Sequence, residues 1–254
     1  MPRSKSRKAL LARVGAAVLA VAVWEALSLA LGQSFLLASP AEVAVRLWAL
    51  LGEADFVRTV CFTLLRIAGG FFLALFAGCA LGALAGRFPV AETLLRPYMV
   101  TVRSVPVASF IVIALVWLTA ARLSVFISFL MVLPVIYNAV LSGVRGLDPK
   151  LSQMADVFHV RRSQHLLYVV LPQIMKPLLS AIPVSLGFAW KAGVAAEVIG
   201  IPAGSIGEKL YYAKIRLDSA DLLAWTVVIV ALSVGLEKLV TVLLRGAWRR
   251  VVRT

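Results

Sequence analysis

Charge is what this chain has least of. Only 15% of its 254 residues are Asp, Glu, Lys or Arg, against roughly a quarter in soluble domains, while 61% are hydrophobic and the mean hydropathy is +0.95. That balance excludes an ordinary soluble domain and puts the chain in a lipid bilayer. Cysteine is nearly absent: Cys61 and Cys79 match no metal or redox spacing, which excludes a disulfide framework. The two histidines, His159 and His165, have no metal-ligand company, so no metal site is expected. A G-x-x-x-x-G-K-[ST] phosphate loop, an H-E-x-x-H pair and a nucleophile elbow are all missing, so the chain is not expected to be an enzyme and holds no cofactor of its own. Acidic residues number 12 against 26 basic ones. The basic excess gathers at the edges of apolar runs, where it sets topology, and nucleic acid is not the expected partner.

What is present is about six apolar runs. A helical crossing needs about 20 such residues, and Val14–Leu31, Ile67–Gly86, Tyr98–Leu118, Leu123–Val144, Pro177–Ile199 and Leu222–Leu244 each qualify. The fold class expected is an all-α integral membrane protein. Its parts are a basic head at 1–13, a first span at 14–31, an outer segment at 32–66, a core at 67–244 and a basic tail at 245–254. The first run is longer than a signal-peptide core and has no A-x-A-like cleavage site, so it reads as a retained span. The head (Arg3, Lys5, Arg7, Lys8, Arg13) and the tail (Arg245, Arg249, Arg250, Arg253) carry no acidic residue. The positive-inside bias therefore places both termini in the cytoplasm. Ser34–Arg66 and Gly200–Asp221 carry balanced charge and fall outside.

Within the second run, Gly78 and Gly82 form a small-x-x-x-small pair that lets helix backbones approach, either within the chain or between copies. Pro106, Pro134 and Pro183 are expected to kink or break their helices.

The polar segment Asp148–Lys176 separates runs four and five. Arg145, Lys150, Arg161, Arg162 and Lys176 outnumber Asp148 and Asp156 around it, so it lies on the cytoplasmic side. Asp148-Pro149 is a helix start with proline in the first turn, and a short helix is expected over Lys150–Phe158. A second short helix follows from Ser163, and Pro172 and Pro177 then interrupt the chain before span five. The expected product is a helix-turn-helix lying across the membrane face.

The spacing in that segment resembles the E-A-A-x(3)-G-x(9)-I-x-L-P signature of permease subunits of ATP-binding-cassette (ABC) importers. Gln153-Met154-Ala155 occupies the E-A-A positions, His159 the glycine, Val169 the isoleucine, and Leu171-Pro172 the L-P pair. Across roughly 56–237 the chain also looks like the sulfonate, taurine, nitrate and thiamine-precursor branch of these permeases. Matching stretches are Thr63–Phe71, Arg103-Ser104-Val105-Pro106 and Ala189–Glu197, and Phe35–Pro40 resembles the family's F-L-P-S-P stretch.

The resemblance implies a type I permease core in a bacterial inner membrane, paired with a second permease copy and joined to two cytoplasmic ATPase subunits that bind ATP and Mg. It also implies an extracytoplasmic substrate-binding protein that delivers a small polar solute. Gln153, Met154, Ala155, Asp156, Val157, Phe158, His159, Arg161, Arg162, Leu171 and Pro172 would form the ATPase-coupling segment. Burial of Met154, Val157 and Phe158 in an ATPase groove would hold the joint, with Arg161 and Arg162 as a charged rim.

Ionised groups inside spans cost at least a few kcal/mol unless paired or hydrated. Arg103 in span three and Lys191 in span five either line a path whose positive potential favours an anion or are structural groups that pair or snorkel. Lys191 and Glu197 lie about 9 Å apart along a helix axis, a poor fit to an i,i+4 pair. Glu197 is expected to organise an outer gate or receptor contact. Asn138, Tyr137, Ser142 and Ser185 either line a polar path or tie helices together. Ile201–Leu217, with Tyr211 and Tyr212, is expected to form a short amphipathic element outside. Two other readings compete: a stand-alone ion-coupled carrier or channel, which would show inverted repeats, and an intramembrane enzyme, which would need a catalytic pair.

Overall fold

A backbone in lipid has no water to bond, so helix is the one local solution open to this chain. In the computed structural model, residues 3–253 are described along the backbone, and 14–244 and 246 in their side chains; every element among the described residues is helical. The head and tail side chains named above lie outside the described residues, and so does the topology argument resting on them.

Helix α1 (Arg3–Leu31) carries a first candidate span, Val14–Leu31, none of which is buried in the chain. A helix apolar on every side belongs in lipid. Two bonds tether it: Trp24 Nε1 donates to the Ala38 carbonyl at 3.0 Å, and Ser28 Oγ to that of Leu37 at 2.9 Å. Helix α2 (Pro40–Leu51) starts at a capping box, in which Ser39 and Glu42 satisfy each other's backbone N–H, with Pro40 in the first turn. Helix α3 (Phe56–Arg87) begins well before the expected Ile67. Arg58 and Arg66 depress the hydropathy of its first turns, yet Thr59 and Thr63 there are buried against the rest of the chain.

The third expected span is broken. Helix α4 (Pro89–Ser104) and helix α5 (Val107–Ala114) meet at 102°. The cause is local: a residue before proline is pushed out of helical geometry, and Val105 is extended at φ −78°, ψ 134°. Tyr98–Leu118 is therefore not one straight crossing. Pro106 breaks the chain as expected, whereas helix α6 (Ala120–Arg145) runs unbroken through Pro134.

Helix α7 (Pro149–Val157) matches the expected short helix. The second helix starts near Ser163 as expected, but it does not stop before span five. Helix α8 (Arg162–His165), a π-helical stretch at Leu166–Val170 and helix α9 (Leu171–Gly200) make one continuous path, and α9 runs unbroken through Pro177 and Pro183. The π turn explains how the helix passes Pro172. Leu171 N–H bonds back to the Leu166 carbonyl, five residues earlier, which widens the turn where the proline ring would strike an α-helical carbonyl. Helix α10 (Ile206–Ile215) fills the expected outer element, and α11 (Ser219–Arg253) is the last span.

The centre is α3, α6 and α9, with α3 packed along α6 and α6 along α9. Ile67, Phe71, Val132, Ile136, Ile182 and Trp190 meet there almost fully buried. The small-residue pair acts within the chain: a methyl on Gly78 would stand 2.9 Å from Ile136 Cβ, and one on Gly82 2.9 Å from Val140 Cβ. Because lipid is as apolar as leucine, this close contact rather than water exclusion holds α3 to α6.

Candidate coupling surface and polar path

The α7 helix is built to stand alone at one end of the bundle. Asp148 caps it, its side chain accepting from Lys150 N–H at 2.9 Å, and Pro149 opens the first turn. Asp148 N–H also donates to the Gln173 side-chain carbonyl at 2.9 Å, tying the start of α7 to the first turn of α9. Ala155 is the one α7 residue that is buried, at 4% exposed. Met154, Val157 and Phe158 stand out at 52%, 74% and 73% exposed, flanked by exposed Gln153 and Asp156.

The helix ends on His159, whose φ is +52°. Val160 N–H bonds to the Ala155 carbonyl at 2.9 Å and His159 N–H to that of Asp156 at 3.1 Å. This pair of bonds is the Schellman stop, which requires a left-handed residue at this position and most often uses glycine. His159 is exposed, and the turn is made by backbone bonds alone. Arg161 and Arg162 follow, exposed, and Leu171-Pro172 sits half-buried where α9 begins.

Of the residues expected along a polar path, four meet. Arg103 on α4 and Asn138 on α6 line one cavity of about 320 Å³, with Tyr137 and Ser142. Glu92 and Arg96, one turn apart on α4, also line it, and Arg145 joins them from α6, which sequence spacing does not announce. Glu92 and Arg145 form an ion pair. The other expected path residues lie apart. Ser185 is fully buried and its hydroxyl bonds to the Ala181 carbonyl of its own helix at 2.8 Å. Lys191 is exposed on α9.

Glu197 is fully buried at the far end of α9 and is not bonded to Lys191. Thr63 donates to its carboxylate at 2.8 Å, and Gly207 N–H lies 3.4 Å away. Thr63 in turn accepts from Ile206 N–H at 3.0 Å. One threonine thus joins α3, α9 and the first turn of α10, whose free N–H groups favour a carboxylate there. Sequence reading finds Glu197 but not Thr63, since 134 residues separate them. Beside this knot, α2 is held to α11 by Arg46, which bonds to Asp221 at 2.7 Å and to Glu53 at 2.9 Å. Among the described residues no cluster of three or more potential metal ligands forms.

Several apolar helices with a small-residue core, a polar cavity and an exposed amphipathic helix at one end define a multi-pass membrane transport subunit. The comparisons agree. Residues 70–253 match the family model of the binding-protein-dependent transport system inner membrane component, and the chain belongs to that family of ABC transporter permeases. A putative ABC transporter permease of Methanocaldococcus jannaschii is 26% identical over 231 residues, covering 89% of this chain and 86% of its own. The putative aliphatic sulfonates transport permease SsuC of Bacillus subtilis is 28% identical over 187 residues, covering 72% and 67%. The bicarbonate transport system permease CmpB of Synechococcus elongatus is 26% identical over 203 residues, covering 79% and 72%.

Proposed function

We propose that this permease imports a small oxyanion of the sulfonate, nitrate or bicarbonate kind, driven by ATP-binding subunits that grip α7. The observation that carries the reading is the α7 surface. A nine-residue helix and its C-cap leave Met154, Val157 and Phe158 exposed at the end of a membrane bundle. Three apolar side chains so placed fit a partner's groove. The named relatives for sulfonates and bicarbonate support the solute class, as do the arginines of the polar cavity.

In this reading ATP and Mg bind the partner ATPases, and a substrate-binding protein delivers the solute to the opposite end, near α2 and α10. Two copies of the chain form the path, in a bacterial inner membrane with both termini in the cytoplasm. Force has a route through the chain. The α7 helix joins α6 through Gly146-Leu147 and α9 through the Asp148–Gln173 bond, so a push on α7 reaches both. Those two helices pack along each other, and α9 ends at the Glu197–Thr63 knot. The knot thus sits where an outer opening would have to part α3 from α9.

The test is co-purification from the native membrane with and without Met154→Arg plus Phe158→Asp. Burying a large apolar side chain gives about 1.5–3 kcal/mol, so losing two anchors weakens the joint at least about a hundredfold. Recovery of an ATPase with the unaltered chain alone is the expected result. Absence of any ATPase under gentle detergent would refute it and favour a stand-alone carrier.

A further inference from the structure

We propose that the cavity between α4 and α6 is an oxyanion-binding site at the α7 end of the bundle, held by Arg96, Arg103 and the hydroxyl of Tyr137. Three observations converge. First, the cavity collects three arginines against one acid, Glu92, and that acid is committed to Arg145. Arg96 and Arg103 form no ion pair among the described residues. Two uncompensated guanidinium groups therefore share one concave space, and the planar fork of arginine suits the oxygens of a sulfonate, nitrate or carbonate.

Second, Tyr137 is 2% exposed and its hydroxyl has no hydrogen-bond partner. A buried hydroxyl left unpaired costs roughly 1–3 kcal/mol, which an acceptor in the cavity would recover. The residue lines the cavity, so the acceptor has a place to stand. Third, the volume of about 320 Å³ holds a small oxyanion with several waters, each taking about 30 Å³. The Glu92–Arg145 pair, between α4 and the last turn of α6, keeps the one carboxylate neutralised and out of the anion's way.

The position gives the site a role. Arg145 ends α6, and α7 begins four residues later at Pro149, so an anion here bridges α4 to the segment that carries the coupling helix. The solute class rests on the importer reading; the site itself rests on the cavity. An oxyanion at this depth has two sources, a free solute or the phosphate of an anionic lipid, and the experiment separates them.

The full chain is placed in nanodiscs of phosphatidylcholine alone or with phosphatidylglycerol. Methanesulfonate and nitrate are titrated calorimetrically against chloride at matched ionic strength. In phosphatidylcholine we expect saturable binding that falls about tenfold in Arg103→Gln and several-fold in Tyr137→Phe, neither of which removes an existing bond, and that is unchanged in the distant Arg216→Gln. Loss of solute binding in phosphatidylglycerol discs, with retained lipid seen by native mass spectrometry and released by Arg103→Gln, assigns the site to a headgroup. No saturable binding and no retained lipid, or equal affinity in all variants, overturns the proposal. ATPase co-purification is read separately, so a failed cavity and a failed importer reading give different results.

Discussion

Replacing His159 by glycine should tighten the end of α7. A side chain bearing Cβ in the left-handed region costs roughly 1–2 kcal/mol, and His159 sits there at φ +52°. Glycine removes that strain but has more freedom to lose on folding, about 0.5–1 kcal/mol, so the net gain is around 0.5–1 kcal/mol. The exposed side chain makes no hydrogen bond among the described residues, so none is lost with it. His159→Val has the opposite sign, because a β-branched residue is a poorer occupant of this region than histidine. The readout is hydrogen exchange at Val160 N–H, which bonds to the Ala155 carbonyl at 2.9 Å and is broken when the stop unwinds. Exchange should slow about two- to fivefold in His159→Gly and quicken in His159→Val. Equal protection in both would refute the claim that backbone conformation, rather than the ring, sets this turn. A tighter stop would also present Met154 and Phe158 in a more fixed geometry, and ATPase recovery should not fall.

Substitutions at three further positions probe the bundle. Gly82→Val would drive a side chain against Val140 Cβ and the Tyr137 carbonyl oxygen, 2.9 and 2.8 Å from where its Cβ must lie, and should cost about 1–3 kcal/mol or more of thermal stability in detergent. Gly69→Ala, with nothing within 4 Å, should instead leave the melting temperature unchanged or raise it; a similar loss in both would mean that close approach is not what holds α3 to α6. Thr63→Val leaves the Glu197 carboxylate and the Ile206 N–H each short of a partner at once, and should destabilise by about 2–4 kcal/mol. Thr63→Ser should restore most of that, and failure to do so would mean the methyl, not the hydroxyl, matters.

Hydropathy alone determined the solvent of this protein and the rough position of its spans, because a bilayer imposes length and polarity on each crossing residue by residue. Local chemistry also settled α7: Asp148 and Pro149 specify a helix start within two residues, and Pro106 specifies a break through its effect on Val105. Family spacing was likewise legible, since Gln153, His159 and Leu171-Pro172 lie on one short stretch. Tertiary structure decided the rest. Neither Pro172 nor Pro177 interrupts the chain, and ahead of Pro172 a π turn widens the helix, an adjustment that proline content cannot announce. Glu197 proved to be buried in a knot with Thr63 and α10, partners that its own stretch of sequence does not announce. Arg103 and Asn138 share a cavity, while Ser185 is spent on its own helix. In each case the deciding partner is either a neighbouring helix distant in sequence or a backbone carbonyl whose availability depends on packing. Sequence periodicity fixes which face of a helix is polar, and only the packing of α3, α4, α6 and α9 fixes what that face meets.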